Sequence, residues 1–172
     1  LNDELCEKSS FINVYVRAFK DDNSGHWAWT SRYFDEKMLE ETGRRAGMYA
    51  SMTYSSINVE PGRYTAVLSP LVFGNLVNYI ARAASAFAVL IGMSFLSKYK
   101  QGEKVASELF TLKDAPHDEK LPFSRGFDDE GVVTFSKPII ERGELRNLLH
   151  NSKTAKVFNT TSTGNAGLLM PH

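Results

Sequence analysis

The feature that most constrains the fold is an apolar segment running from Leu71 to Leu96. Its length alone would suit a membrane span. Asn75, Asn78 and Arg82 interrupt it at positions i, i+3 and i+7, so their side chains share one face of a helix. Because an arginine at the centre of a bilayer costs about 2.5–3.5 kcal/mol on insertion scales, the segment predicts a long buried helix in a globular protein and no membrane span.

The residues before this segment predict a β-hairpin followed by a helix. Polar and apolar residues alternate from Phe11 to Phe19, and Asp21–Gly25 has the composition of a turn. A second strand is expected from His26 to Tyr33, with both tryptophans on one face. Asp35 can cap the helix, whose apolar residues recur at helical spacing as far as residues 49–51.

The rest of the chain is expected to consist mainly of short strands. They are predicted at Tyr64–Leu68, Val105–Leu112, Gly131–Phe135 and Pro138–Glu141. The turn Arg142-Gly143-Glu144 would return the last of them to Leu145 as part of a β-meander, and Thr154–Phe158 predicts a helical turn. Helices and strands together place the chain in the α+β class, and 172 residues suit a single domain, residues 1–172.

Charge and cysteine content exclude several classes of protein. Twenty Lys and Arg balance twenty Asp and Glu, so no overall field draws nucleic acid or an anionic membrane, and we expect direct binding to neither. Cys6 is the single cysteine, so the chain forms no internal disulfide, which favours a reducing, cytoplasmic location. The sequence begins with Leu1 and carries no secretory leader pattern, from which we expect a fragment of a longer protein.

No catalytic constellation emerges from the residue spacing. A zinc peptidase helix needs two histidines about one turn apart, together with a glutamate. The four histidines here are each separated by more than twenty residues; they are His26, His117, His150 and His172. No Gly-x-Ser-x-Gly elbow is present, and Cys6 lies among charged residues near the start of the chain.

Two weaker patterns remain open. Asp128 and Glu130 share a strand parity and could converge for acid–base chemistry, although a charged turn before Gly131 is the more economical interpretation. Ser162–Gly167 has the small residues of a phosphate-cradling loop but lacks the Gly-Lys-Ser/Thr ending of a P-loop. A tight turn is therefore favoured there.

Several short motifs occur in a fixed order between Val59 and Gly167. They are Val59-Glu60-Pro61-Gly62-Arg63-Tyr64, Val67-Leu68-Ser69-Pro70, Gly92-Met93-Ser94-Phe95-Leu96, Gly102-Glu103-Lys104-Val105-Ala106-Ser107, Phe127-Asp128-Asp129-Glu130-Gly131-Val132-Val133-Thr134, Pro138-Ile139-Ile140-Glu141-Arg142-Gly143-Glu144-Leu145, Thr154-Ala155 and Ser162-Thr163-Gly164-Asn165-Ala166. In their order and spacing these motifs resemble the TldD/PmbA family, once called modulator of DNA gyrase and regarded as metallopeptidase-related.

The resemblance also bears on catalysis. TldD-type members carry a His-Glu-x-x-x-His helix, which PmbA/TldE-type members have lost. In this chain Asn78, Tyr79 and Ala83 stand at the positions of the first His, the Glu and the second His. Alanine offers no metal ligand and tyrosine is no carboxylate base, so no catalytic, cofactor-binding or metal-binding residue is carried over from the family.

As a PmbA/TldE-like subunit, the chain would hold a β-rich C-terminal-type domain without the N-terminal domain and the tail of longer members. The resemblance implies a metal-free, non-catalytic partner that forms a heterodimer with a TldD-type metalloprotease acting on unfolded or small peptides, with self-association as the alternative assembly. Two other functions stay open. One is a divergent hydrolase built from Asp128, Glu130, His117 or His150, and the other is a regulator of DNA topology, as the older family name suggests.

Overall fold

The computed structural model describes residues 4–52 and 58–167. The described residues cluster into two compact units, one chiefly of residues 10–74 and one chiefly of residues 75–119 and 123–167. In chain order the elements are β1 (Ile12–Lys20), β2 (Asn23–Ser31), α1 (Glu36–Met52), α2 (Pro70–Ala83), α3 (Ala86–Leu90), the 3-10 helix η1 (Phe95–Lys98), β3 (Leu112–Asp114), β4 (Lys137–Glu141), β5 (Glu144–Leu145) and α4 (Ser152–Val157). The predicted α+β class is confirmed.

In the first unit, β1 and β2 form the predicted antiparallel hairpin. The register pairs Val16 with Trp27, which places the alternating apolar residues of both strands on one face. The turn is shorter than the sequence predicts, because Lys20 already pairs with Asn23. Asp21 adopts a left-handed φ of 53°, and this conformation allows a two-residue connection to follow the twist of the strands.

Helix α1 begins where the sequence predicts. The Asp35 Oδ1 atom accepts hydrogen bonds from the backbone N–H groups two and three residues further on, at 3.0 and 3.3 Å. These bonds satisfy amides that have no partner inside the helix. The buried stripe of α1 consists of Thr42, Ala46 and Ala50, spaced four residues apart. Because these side chains are small, the hairpin packs close to the helix axis.

The hairpin and α1 meet most closely at Gly25 on β2. A Cβ atom at Gly25 would overlap the backbone of Tyr49 and Ala50. Next to this contact the Trp27 ring stacks on Tyr49, with the ring centroids 5.7 Å apart and the planes at 14°. The Arg45 guanidinium lies 4.7 Å from the centroid of Trp27. Glycine at this position is thus what allows the aromatic stack to form.

The core of the second unit gathers apolar residues from distant parts of the chain. Strands β3, β4 and β5 form an antiparallel sheet in that order. This confirms the part of the predicted β-meander in which Pro138–Glu141 returns to Leu145. Ile140 pairs with Leu112 on one side and with Leu145 on the other. Asn151 caps α4, and its carboxamide oxygen accepts the Thr154 N–H at 2.8 Å. The buried core residues are Ala84, Leu96, Ile139, Ile140, Leu145 and Leu149.

The apolar segment differs from the expected long buried helix. It is divided into α2, α3 and η1, with breaks at Ser85 and at Gly92, whose φ is 74°. Helix α2 contributes no buried residue, and Leu76 and Tyr79 are 49% and 73% exposed. None of the helices among residues 4–52 and 58–167 has both the length and the apolar character needed to cross a membrane.

Several segments predicted as strands do not form the hydrogen bonds of a sheet, because their backbone groups bond to turns and side chains. The amide of Val105 donates to the Gly143 carbonyl, and the amide of Val132 donates to the Asp128 side chain. A strand requires a continuous ladder with a neighbour, which these local bonds replace. Three of the expected strands are therefore wrong. Tyr64–Leu68 is exposed and irregular, and only the last residue of Val105–Leu112 lies in a strand. Gly131–Phe135 keeps one isolated bridge, at Val133.

A buried carboxylate organises the loops of the second unit. Asp128 is 2% exposed, and its side chain accepts three backbone hydrogen bonds. The Oδ1 atom accepts the N–H groups of Glu130 and Val132 at 3.0 and 2.9 Å, and the Oδ2 atom accepts that of Ala166 at 2.9 Å. One side chain thereby closes its own turn and ties it to the loop near residue 166.

Replacing Gly25 with alanine should destabilise the chain by about 3 kcal/mol, because the new methyl group overlaps the backbone of α1. The matched control is Gly43→Ala, since nothing lies within 4 Å of a Cβ at this helical position. The control should stabilise the chain by about 1 kcal/mol through helix propensity. Urea unfolding followed by circular dichroism measures both. Equal effects of the two substitutions would contradict the close contact.

The variant Asp128→Asn should lower the free energy of unfolding by about 3 kcal/mol, because one acceptor oxygen becomes a donor facing a backbone N–H. The matched control is Asp129→Asn, whose side chain is 58% exposed and pairs with Arg125. That surface pair should contribute less than about 1 kcal/mol. Denaturant unfolding of both variants compares them directly, and an Asp128 variant as stable as the control would refute the anchoring role.

Candidate functional site

Helix α2 carries the three residues that the resemblance described above aligns with the metal site of TldD-type members. Asn78 and Tyr79 lie on its exposed surface, and Ala83 is its last residue. An amide, a phenol and a methyl group thus stand where two imidazoles and a carboxylate would be required. Within the described part of the chain, no three His, Cys, Asp or Glu side chains group closely enough to hold a metal. The donor set does not fit a metal ion.

Asp128 and Glu130 serve as structural anchors. The Asp128 carboxylate accepts three backbone N–H groups, as described above. The Glu130 Oε2 atom accepts the backbone N–H of Ser152 at 2.7 Å, at the start of α4. Both carboxylates therefore hold chain segments together, which agrees with the charged turn that the sequence favoured over an acid–base pair.

The histidines of the hypothetical hydrolase are also engaged locally. The His117 Nε2 atom lies 3.0 Å from the Thr134 hydroxyl. The His150 ring packs edge-on against Phe158, with the centroids 5.3 Å apart, and burial lowers the pKa of His150. No hydrogen bond in the described ranges joins either imidazole to Asp128. The four candidate residues thus form no catalytic constellation.

The other candidates lie apart from these residues in the sequence and show no shared chemistry. Cys6 is a free, exposed thiol. The His26 ring lies 5.8 Å from that of Tyr15 on the hairpin. His172 falls outside the described residues. Of the two described residues, neither the Cys6 thiol nor the His26 ring forms a nucleophile–base pair.

The loop Ser162–Gly167 uses its backbone amides internally. The Thr163 N–H donates to the His150 carbonyl at 3.1 Å, and the Gly164 N–H donates to the Ser162 hydroxyl at 3.3 Å. The Ala166 N–H is taken by the Asp128 carboxylate, as described above. An anion would have to displace these bonds, so the phosphate-cradle interpretation is wrong and the loop is a tight structural turn.

A buried ion pair was not identifiable from the sequence. The Lys137 side chain is 4% exposed and its Nζ atom lies 2.7 Å from Asp114 Oδ2. The same oxygen accepts the Asn165 Nδ2 group at 2.8 Å. These three residues are far apart in the chain, and the only local signal is a lysine that opens an apolar strand. The network links the sheet to the loop near residue 165.

A narrow pocket lies beside the last turn of α2, in the second unit. Its walls combine a cation with polar and apolar groups. The sequence pattern predicted that Arg82 lies on a polar face of a helix. It gave no sign that residues far away in the chain would lie next to it. The pocket walls include Arg82, Ser85, Phe87, Leu149, Asn151 and Asn165.

Comparison with known proteins identifies the relatives of this chain. A family profile described as the PmbA/TldA metallopeptidase C-terminal domain matches residues 61–171. A metalloprotease of Methanothermobacter thermautotrophicus is 34% identical over 129 residues, which cover 74% of this chain and 28% of that protein. A metalloprotease PmbA homolog of Buchnera aphidicola subsp. Acyrthosiphon pisum is 28% identical and covers 95% of this chain and 37% of the homolog. The chain thus spans between 28% and 37% of the length of these two relatives.

Solved structures give the same result. A protein of Thermotoga maritima, described as a candidate modulator of a DNA gyrase, superimposes with a TM-score of 0.71 at 32% identity over 91% of this chain and 36% of its own length. TldE from Thermococcus kodakarensis shares the fold, with a TM-score of 0.69 at 23% identity over 90% of this chain and 36% of that one. Since the family profile covers more than half of the sequence, the chain belongs to the TldD/PmbA family of metallopeptidase-related proteins.

Proposed function

We propose that this chain is a metal-free, TldE/PmbA-like partner subunit of a cytoplasmic, TldD-type metalloprotease that processes unfolded or small peptides. What carries the proposal is that Asn78, Tyr79 and Ala83 on α2 stand where the resemblance to the family places the His-Glu-x-x-x-His motif of TldD-type members. The subunit then contributes no catalytic, cofactor-binding or metal-binding residue, and its role is to assemble with and shape the site of a catalytic partner.

Exposed apolar side chains in the second unit support a partner role. Leu76, Phe87 and Leu90 are 49%, 41% and 47% exposed, and Met93 is 80% exposed. Apolar surface that remains uncovered on this scale is typical of regions that pack against another protein surface. The feature agrees with a heterodimer and equally with self-association, so the assembly experiment below includes both.

The small sheet of the second unit supports a peptide as the substrate class. Strand β3 forms one edge of the three-stranded sheet. An extended peptide that pairs with such an edge is held mainly through its backbone, with little dependence on side chains. This mode of binding suits a complex that accepts unfolded segments of varied sequence.

Peptidase activity should require the partner. The purified chain alone should cleave no unfolded protein or short peptide, whereas mixing it with a TldD-type subunit from the same genome should produce activity together with a new species in size-exclusion chromatography. The physical reason is that the chain lacks the metal ligands and the general base, which the partner supplies. The homodimer hypothesis predicts the same elution shift without the second subunit.

Activity of the chain by itself, at a rate comparable with that of the mixture, would contradict the proposal. A chain that neither shifts the elution of the TldD-type subunit nor changes its activity would contradict it as well. A TldD-type subunit whose own glutamate is replaced by glutamine is the control, because the mixture should then be inactive while the complex still forms.

Substitution of two candidate catalytic residues distinguishes the divergent-hydrolase alternative from the partner role. His117→Ala and Glu130→Gln should leave the peptidase activity of the assembled complex within about twofold of the unmodified complex, since both side chains bond locally to the fold. Steady-state kinetics on a fluorogenic peptide provides the measurement, with thermal unfolding as the check on folding. A loss of about a hundredfold in a folded variant would instead establish an acid–base role.

A further inference from the structure

The outer edge of strand β1 presents backbone groups that have no partner within the hairpin. Lys20 and Asn23 flank the two-residue turn as a pair, and hydrogen-bonded pairs alternate with non-bonded pairs along an antiparallel ladder. The N–H and C=O groups of Asn13, Tyr15 and Arg17 are therefore directed away from β2. Among the residues whose structure is described, none forms a backbone–backbone hydrogen bond with these three from outside the hairpin. The edge is thus open to another strand.

Strand β1 lacks most of the features that protect an edge strand from another chain. It extends over nine residues, Ile12–Lys20, without a proline, and its register with β2 contains no bulge. Before its last residue it carries a single charge, on Arg17, whose guanidinium lies 5.1 Å from the centroid of the Phe19 ring. Because natural proteins pair or cover edges of this kind, we expect β1 to have a neighbouring strand in the assembled protein.

The side chains of β1 are complementary to those of a second β1 in antiparallel orientation. With Tyr15 opposite its own copy, an apolar residue faces an apolar residue on one side of the sheet, and an amide faces a guanidinium on the other. A register that placed Arg17 opposite its own copy would instead bring like charges together. The opposed pairs are Ile12 with Ala18, Asn13 with Arg17, Val14 with Val16 and Tyr15 with Tyr15.

Asn13 is oriented for its part in this pairing. Its Nδ2 group donates to the Thr30 hydroxyl on the neighbouring strand at 3.1 Å. The carboxamide oxygen is then the end that can accept a hydrogen bond from the Arg17 guanidinium of a second copy. In its own chain the Arg17 side chain donates to the Ser24 hydroxyl at 3.2 Å, and it retains further N–H donors for this contact.

The outer face of the hairpin carries aromatic rings that are exposed in the single chain. Gly25 and Trp27 contact α1 from the opposite face, whereas Tyr15 and Phe19 are 59% and 70% exposed. In the paired sheet the two Tyr15 rings would be neighbours, and Phe19 would lie opposite Phe11, which is 55% exposed. Aromatic residues directly opposite each other on neighbouring strands stabilise a sheet.

Helix α1 leaves room for this arrangement. It packs against both strands of its own hairpin, so each copy brings one helix for two strands. Two strands occupy about 9–10 Å across a sheet, and neighbouring helices pack about 8–10 Å apart. The two copies of α1 would therefore fit side by side on one face of the sheet. Pairing also extends a two-stranded hairpin, which is marginally stable by itself, to four strands.

We propose that two copies of this chain pair along β1 in antiparallel orientation, centred on Tyr15, and form one four-stranded sheet. The surface belongs to the hairpin of the first unit, whereas the contact with a TldD-type subunit is argued from residues of the second unit. The inference therefore does not depend on the proposed function.

Opposite charges introduced at Asn13 test the pairing, with sedimentation equilibrium of the purified chain as the measurement. The unmodified chain should sediment as a dimer. Asn13→Lys places an ammonium group opposite Arg17 twice in each dimer and should weaken the dimer by about tenfold. Asn13→Glu places a carboxylate there and should strengthen the dimer by about tenfold. Circular dichroism checks that both variants remain folded.

Cysteine cross-linking tests the register. In a Cys6→Ser background, Tyr15→Cys should form a disulfide between two copies under mild oxidation, because hydrogen-bonded residues directly opposite each other have Cα atoms about 5.5 Å apart. The matched control is Ala28→Cys, since Ala28 pairs with Tyr15 within the hairpin but lies on β2. Three strand spacings, about 14 Å, would separate the two copies of this residue, so it should form no cross-link.

A monomeric unmodified chain would overturn the proposal and leave the edge of β1 to a strand of another protein. It would also be overturned if both charges at Asn13 changed the dimer in the same direction, or if Ala28→Cys formed a cross-link as readily as Tyr15→Cys. The Asn13→Lys variant should still assemble with the TldD-type subunit. Failure of the strand pairing and failure of the partner role are therefore distinguishable.

Discussion

The carboxylate of Asp128 is the interaction on which the second unit most depends. It accepts three backbone N–H groups, two from its own turn and one from Ala166. A charged acceptor removed from water is stable only when its hydrogen bonds are all made, so these bonds fix the turn and the distant loop together. Lys137, Asp114 and Asn165 reinforce the same loop from the sheet. Asp128, which the sequence left open as an acid–base residue, is thus structural here.

The sequence predicted the elements that depend on local patterns. The hairpin, the Asp35 cap and the β-meander follow from alternation, capping chemistry and turn composition, all of which act over a few residues. The expected strand at Gly131–Phe135 failed because the Asp128 side chain takes an amide that a ladder would use. The sequence did not predict the pocket, because Arg82 and Asn151 are far apart in the chain and only tertiary packing places both in its walls. Periodicity carries no information about such long-range contacts.

Helix α2 connects the fold with the proposed role. Asn78 and Tyr79 on this helix stand where the family resemblance places metal-site residues, and apolar residues such as Leu76 are exposed. Ile80 of α2 packs against the core of the second unit, and this contact positions the end of the helix.

The metal content of the assembled complex tests the central claim most directly. Elemental analysis of the purified complex between this chain and a TldD-type subunit should find a single zinc per pair, and the chain purified alone should carry none in stoichiometric amount. This result follows because Ala83 supplies no ligand and the neighbouring positions supply no imidazole or carboxylate. Stoichiometric zinc on the isolated chain, or two zinc ions per pair, would contradict the account.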